Sequence, residues 1–417
     1  MVLALALASG RARAFHSGGV GACEGCHSMH GDQGTGQNGP SLLSGSDPSS
    51  TCLSCHAGGA GGGYQVMTTG LTTGVPPRNY TPGGDFGWLL KSYSWVGANG
   101  IETSPGEHHG HSVVAADFGL FSDGARTTAP GGTYPSDQLT CISCHDPHGK
   151  YRLNSDASVS TKGSPIAGSG SYGGTASIAP TAGMSLGVYR LLGGSGYAPK
   201  SAGSVVPFFS NPPVALSPQS YNKSERATDV RVAYGSGLSE WCQNCHASIH
   251  AANPTNTTSK LQHPVGATAR LNTGGESAIY NNYVRTGVLT GTQLTSYTSM
   301  VPYEEGTTDR LGLASHAVSD GSVTSGPSNG QENVMCLSCH RAHASGWDHA
   351  TRWNTPASGT IVFGGVWPGW NALGDAALSA NAQGRMQAET QAAMYDRDAK
   401  SYAAYQKVLC NKCHAQD

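Results

Sequence analysis

This chain has little of what builds an ordinary hydrophobic core. Charged residues make up 12% of it, about half the usual globular share. Apolar residues are 37% and aromatic residues 7%. No basic run points to nucleic acid. Beyond the first few residues, no apolar stretch approaches the ~20 residues a membrane-spanning helix needs. Gly 59 and Pro 22 fill roughly a fifth of the 417 residues, a level that disfavours long helices and strands. Alone, such a sequence buries too little surface to offset its chain entropy. Something other than side chains must supply the core.

No cysteine is spare either, so there is neither a disulfide nor a lone reactive thiol to consider. All 12 cysteines fall in six CxxCH motifs. These are CEGCH (Cys23, Cys26, His27), CLSCH (Cys52, Cys55, His56) and CISCH (Cys141, Cys144, His145). The others are CQNCH (Cys242, Cys245, His246), CLSCH (Cys336, Cys339, His340) and CNKCH (Cys410, Cys413, His414). In this motif two thioether bonds fix a haem c, and the adjacent histidine ligates its iron from the proximal side. Structural zinc would want cysteine pairs combined into four-ligand sites, and a redox CxxC does not explain the following histidine. The reading is six covalently bound haems c. Their rigid apolar faces are the missing core.

The opening MVLALALASGRARA, residues 1–14, reads as a secretory leader with Ala12-Arg13-Ala14 as its cleavage site. It lacks the usual basic start, so translation is expected to begin upstream. Residues 15–417 then form one exported domain. The formal net charge of −2 becomes more negative once Arg11 and Arg13 leave with the leader. Each ferric haem adds about −1 more, from two propionates against its cationic iron centre.

Electron-carrying haems take a second axial ligand, histidine or methionine. Of 17 histidines, six belong to the motifs. Three motifs carry a further histidine three residues on: His30, His148 and His343. Each of these three also has a histidine upstream, at His16, His111 and His316. The distal candidates are therefore His16, His30, His111, His148, His316 and His343, with His250 and His263 as alternatives to one of them. His108, His109 and His349 read as surface or core side chains. The pattern divides the domain into three dihaem units, about 15–110, 111–315 and 316–417. Two imidazoles three residues apart cannot bind one iron from opposite sides. A trailing histidine must reach another haem, His148 the first and His343 the third.

Between motifs the sequence reads as loop: GGAGGGY at 58–64, APGGTYP at 129–135 and the glycine-rich run at 168–174. No Walker lysine accompanies these glycines, which excludes a phosphate loop. One segment, roughly Ala377 to Leu409, has helical spacing without proline. Its Met386 and Met394 are read as packing residues rather than ligands.

Several stretches carry a resemblance: FHSGGV at 15–20, TPGGDFGW at 81–88, TTAPGGTYP at 127–135, CHDPHGKYR at 144–152, RVAYGSGLSEWC at 231–242, CLSCHRAHASG at 336–346 and VLCNKCHAQD at 408–417. The chain resembles the OmcS type of hexahaem extracellular cytochrome from metal-reducing bacteria. The resemblance covers nearly all of it beyond the leader. It implies a multihaem cytochrome c fold, mostly coil and turns with a few short helices wrapped around one continuous chain of six haems. It also implies two histidines per iron and subunits that polymerise into conductive filaments.

On that reading the protein is an electron carrier of the cell surface and not an enzyme. Its donors are periplasmic or outer-membrane cytochromes, and its acceptors extracellular metal oxides or partner cells. A multihaem reductase would need an open iron position, often marked by CxxCK, and no CxxCK occurs. A soluble periplasmic shuttle is the alternative. For His30 no earlier haem exists in its own subunit. The two-step offset, carried across a junction, points to the fifth haem of a neighbouring copy, and the resemblance implies the same donation.

Overall fold

Secondary structure is short throughout the computed structural model, which describes residues 23–28, 42–58, 64–199, 207–219, 225–226, 230–249, 263–356, 358–370 and 380–414. The leader, His16, His30, His250 and most of GGAGGGY lie outside the described residues. Among the described residues no helix is long and apolar enough to cross a membrane.

The helix Pro48–His56 shows how elements form here. Asp47 caps it by accepting from the Ser50 amide at 2.8 Å, and Pro48 opens the first turn, where its missing N–H costs nothing. The helix ends on the second motif. Strands are equally brief. An antiparallel hairpin pairs Tyr93–Gly97 with Gly100–Ser104. A four-stranded sheet runs Val159–Ser160, Arg152–Leu153, Ser185–Gly187, Ile166–Gly168, with only the last pair parallel. Part of the glycine-rich run at 168–174 thus enters a sheet edge. Ala215–Leu216 pairs antiparallel with Ala233–Tyr234.

The helix expected over Ala377 to Leu409 is much shorter. Its described part carries the short α-helix Gln387–Ala393, closed at its start by mutual bonding of Met386 and Glu389. Gln383 and Gly384 before it, and Tyr395 and Asp396 after it, all have left-handed backbones that break the helical path. Periodicity alone does not register such breaks. Met394 is buried and Met386 lies against Gly74, so both pack, as read.

The side-chain core is assembled from aromatics and paired cations. Phe86, Trp88, Trp347, Trp353, Trp367, Met300 and Leu409 share the largest cluster. Arg341 is fully buried, with Nη1 donating to Glu225 at 2.6 Å and its guanidinium 3.7 Å from the Tyr395 ring centre. Arg385 lies between Tyr93 and Trp347, at 4.3 and 4.6 Å. Hydrogen bonds and ring faces offset the cost of burying these two cations.

Candidate haem-attachment sites

Each motif folds as one helical turn. The histidine amide donates to the first cysteine's carbonyl at 2.8 Å for His27, 3.0 Å for His145, His246 and His340, and 3.2 Å for His414. In the second motif the helix Pro48–His56 does the same work. Residues i, i+3 and i+4 of a turn share a face, so both sulfurs and the imidazole point to one side. All twelve cysteines are free of disulfides.

The motifs follow one another in space as they do in sequence. Cys26 feels the charge of Cys55, Cys144 that of Cys245, and Cys339 those of Cys410 and Cys413. Between these pairs the contact shifts to the first cysteines: Cys52 is hydrogen-bonded to Cys141, and Cys242 to Cys336. In a haem-loaded chain these sulfurs are thioethers, so the contacts are read as proximity. The two junctions are built alike. Ser49 Oγ accepts from the Cys141 amide at 3.0 Å, and Ser239 Oγ from the Cys336 amide at 3.1 Å. Each serine stands three residues before its own motif's first cysteine.

Imidazoles meet in pairs. Ring centres lie 6.0 Å apart for His111 and His246, 6.5 Å for His145 and His343, and 5.8 Å for His263 and His414. Two metal–nitrogen bonds of about 2 Å each, plus the ring radii, span roughly 6 Å, so an iron fits between each pair. The tautomers fit as well. Nδ1 of His56 bonds the Tyr64 carbonyl, that of His145 the Arg190 carbonyl and that of His246 the Pro130 carbonyl, at 2.8, 2.8 and 2.9 Å. His111, His263 and His340 reach the carbonyls of Ala342, Pro264 and His349, each at 2.7 Å. Donating from Nδ1 leaves Nε2 as the metal-facing nitrogen. Burial pushes His246 down to about 4 and His343 down to about 3, so both stay neutral and able to ligate.

His343 is held by glycine. Its amide donates to Gly83 at 2.7 Å, its ring stacks on Phe86 at 4.7 Å, and Gly84, with φ +95°, leaves no room for a Cβ beside the Ala344 carbonyl. The loop APGGTYP does the same for the fourth motif. A Cβ on Gly132 would sit 1.8 Å from the Cys245 carbonyl. Reading APGGTYP as a plain loop misses this, and the Pro-Gly-Gly it shares with TPGGDFGW was the available signal.

The odd-numbered motifs share a backbone clamp that the sequence reading also misses. Ser28, Asp146 and Arg341, each following a motif histidine, donate to Leu42, Leu191 and Ala350. Two residues beyond each acceptor, Ser44, Gly193 and Arg352 donate back to Cys26, Cys144 and Cys339. The acceptors Leu42, Leu191 and Ala350 have φ of 60, 54 and 54°. Arg190 and His349, whose carbonyls receive the imidazoles, are left-handed too.

Two distal candidates are placed away from any second imidazole among the described residues. His148 is exposed beside Asp146. His316 ends the helix Arg310–His316 and bonds Glu305 at 2.7 Å, while the neighbouring Leu313 and Ala317 pack on Leu216 and Ala233. A histidine at a helix C-terminus beside a carboxylate is electrostatically satisfied there. The ring that faces the His414 imidazole is that of His263. No described imidazole lies opposite His340.

Covalent haem carriers with several such motifs and so little regular structure form one class, the multihaem c-type cytochromes, and the fold and its attachment sites fall within it. No protein-family profile matches the chain. It is 47% identical over 429 residues to the C-type cytochrome OmcS of Geobacter sulfurreducens, with 99% of this chain and 97% of that protein covered. Two filament structures of that cytochrome superpose on it, described as OmcS nanowires and as an Outer Membrane Cytochrome S filament. Their TM-scores are 0.87 and 0.86 at 46% identity, covering 97% of this chain and all of each. The chain belongs to the OmcS family of c-type cytochromes and carries covalently bound haem c.

Proposed function

We propose that this protein conducts electrons outside the cell, as a subunit of a cell-surface filament that binds six haems c with two imidazoles on each iron. When bound, haem c supplies a one-electron ferric–ferrous couple. The observation that carries the reading is the order of motif contacts, which runs from the first motif to the sixth with none left out. Donors on this reading are periplasmic or outer-membrane cytochromes, and acceptors are extracellular metal oxides or partner cells. The repeated clamp at motifs one, three and five supports the division into three dihaem units, about 15–110, 111–315 and 316–417.

The proposed distal ligands are His343 for the third iron, His111 for the fourth and His263, in place of His316, for the sixth. His16 and His148 are left for the first two. His30 of the neighbouring copy serves the fifth, beside Cys336, Cys339 and His340. The motif cysteines and histidines would hold each haem, and the imidazoles of His56, His111, His145, His246, His263 and His340, with Nδ1 held by carbonyls, would offer Nε2 to iron. Filled positions favour electron transfer over substrate chemistry.

The variant His30→Ala tests the reading. It is expected to be secreted with its haems attached, to remain monomeric by electron microscopy, and to show one iron without its distal ligand by near-infrared magnetic circular dichroism. Normal filaments with every iron low-spin would refute the ligation between subunits.

A further inference from the structure

At the junction of the fourth and fifth motifs, three buried oxygen atoms have no hydrogen-bond donor: Glu304 Oε2, Glu240 Oε2 and Asn333 Oδ1. Glu304 is 1% exposed and Asn333 3%. These two are directly opposed across an antiparallel bridge, Glu304 N to Asn333 O at 2.9 Å and the reverse at 2.8 Å, so their side chains leave on the same face. Glu240 comes from the helix Leu238–Cys242, which leads into the fourth motif. Its charge acts on both Glu304 and Cys336, and Glu304 also lies within reach of Cys336. The other oxygens are occupied: Glu304 Oε1 accepts from the Gly237 amide at 2.5 Å and Glu240 Oε1 from the Ala267 amide at 2.9 Å.

Donors able to neutralise the pair are turned elsewhere. Arg270, the one cation among the groups acting most strongly on Glu304, gives Nη1 to the carbonyl and side-chain oxygens of Gln331. The adjacent Glu305 is taken up by Arg231 at 2.9 Å and His316 at 2.7 Å. Three buried acceptors and no donor is a costly arrangement that a single added proton relieves.

We propose that Glu304 and Glu240 form a proton-binding site that takes up one proton when the haem attached at Cys336 and Cys339 is reduced. The proposal rests on the electron-conduit reading. The electron arrives from an adjoining haem, the proton comes from solvent water, and the only bond formed is O–H on a Glu304 oxygen. Reduction adds one negative charge beside two carboxyl groups, which raises their proton affinity. By linkage the same coupling lowers the reduction potential as pH rises. Burial, then the charge of Glu240, raises the proton affinity of Glu304. At low pH the site holds its proton in both redox states. At higher pH, reduction draws the proton in. The expected window therefore lies above the ordinary carboxylate range.

The test is proton uptake on full electrochemical reduction of the haem-loaded protein, measured at pH 6 and pH 9 in the wild type, Glu304→Gln and Glu240→Gln. At pH 9 Glu304→Gln is expected to lose up to one proton of uptake, and with it a pH-dependent share of potential approaching 59 mV per pH unit for one haem. At pH 6 it should match the wild type. Glu240→Gln removes the repulsion and is expected to move the window to lower pH. Equal uptake at pH 9 in the wild type and Glu304→Gln, with low-spin spectra intact, overturns the site while leaving the conduit reading in place. If Glu304→Gln fails to load haem, an unmoved window in Glu240→Gln overturns it instead. Loss of six low-spin irons in the wild type itself would sink the conduit reading, and is read separately by magnetic circular dichroism.

Discussion

At the third and fifth motifs, the carbonyl that receives the proximal imidazole sits on a non-glycine residue with a left-handed backbone. At the fourth it sits on Pro130, ahead of two glycines. The first device stores strain, roughly 1–2 kcal/mol per left-handed residue, and holds it with two reciprocal backbone bonds. The second avoids strain by removing side chains, so that backbone can approach backbone. The comparison teaches that one chemical requirement, a fixed Nδ1 acceptor, is met by strain at the third and fifth motifs and by space at the fourth. The two should therefore fail differently.

The largest effect is expected from filling the space. Gly132→Val puts a branched side chain where even a Cβ would meet the Cys245 carbonyl, and should destabilise by about 3–5 kcal/mol. Thermal melts and the haem-to-protein ratio would register this as lower stability and incomplete loading. An unchanged melt would mean that the close approach is not needed. Next in size is the removal of one ligand. His263→Ala is expected to turn one iron of the set high-spin, and His316→Ala none, by magnetic circular dichroism. The opposite result would restore His316 as a ligand. Smallest is relief of strain. Leu42 is 49% exposed with φ 60°, so Leu42→Gly should stabilise by about 0.5–1 kcal/mol, read as a small rise in melting temperature. A loss would show that the Leu42 side chain matters more than its backbone.

The attachment chemistry was legible because it is local: five letters specify two sulfurs and an imidazole on one turn. Family and fold class were legible through the order of the motifs and intervening stretches such as TPGGDFGW. What escaped is non-local. The carbonyl serving His246 comes from Pro130, and that serving His145 from Arg190, and nothing in either residue type announces an acceptor. His263 was only an alternative because it has no fixed spacing from His414. The helix after Ala377 was overread because left-handed turns at Gln383, Gly384, Tyr395 and Asp396 do not interrupt a hydrophobic period.

The facing of His145 by His343 sets a timetable. The third motif leaves the ribosome and crosses the membrane long before its partner ring, which lies past the fifth motif. The fourth motif, by contrast, finds His111 already made. On the proposed ligation, a chain that stops early would carry a third iron with one side bare, where peroxide or carbon monoxide could bind. Maturation would then close backwards, the late segment from His340 to Ala344 sealing the middle of the molecule.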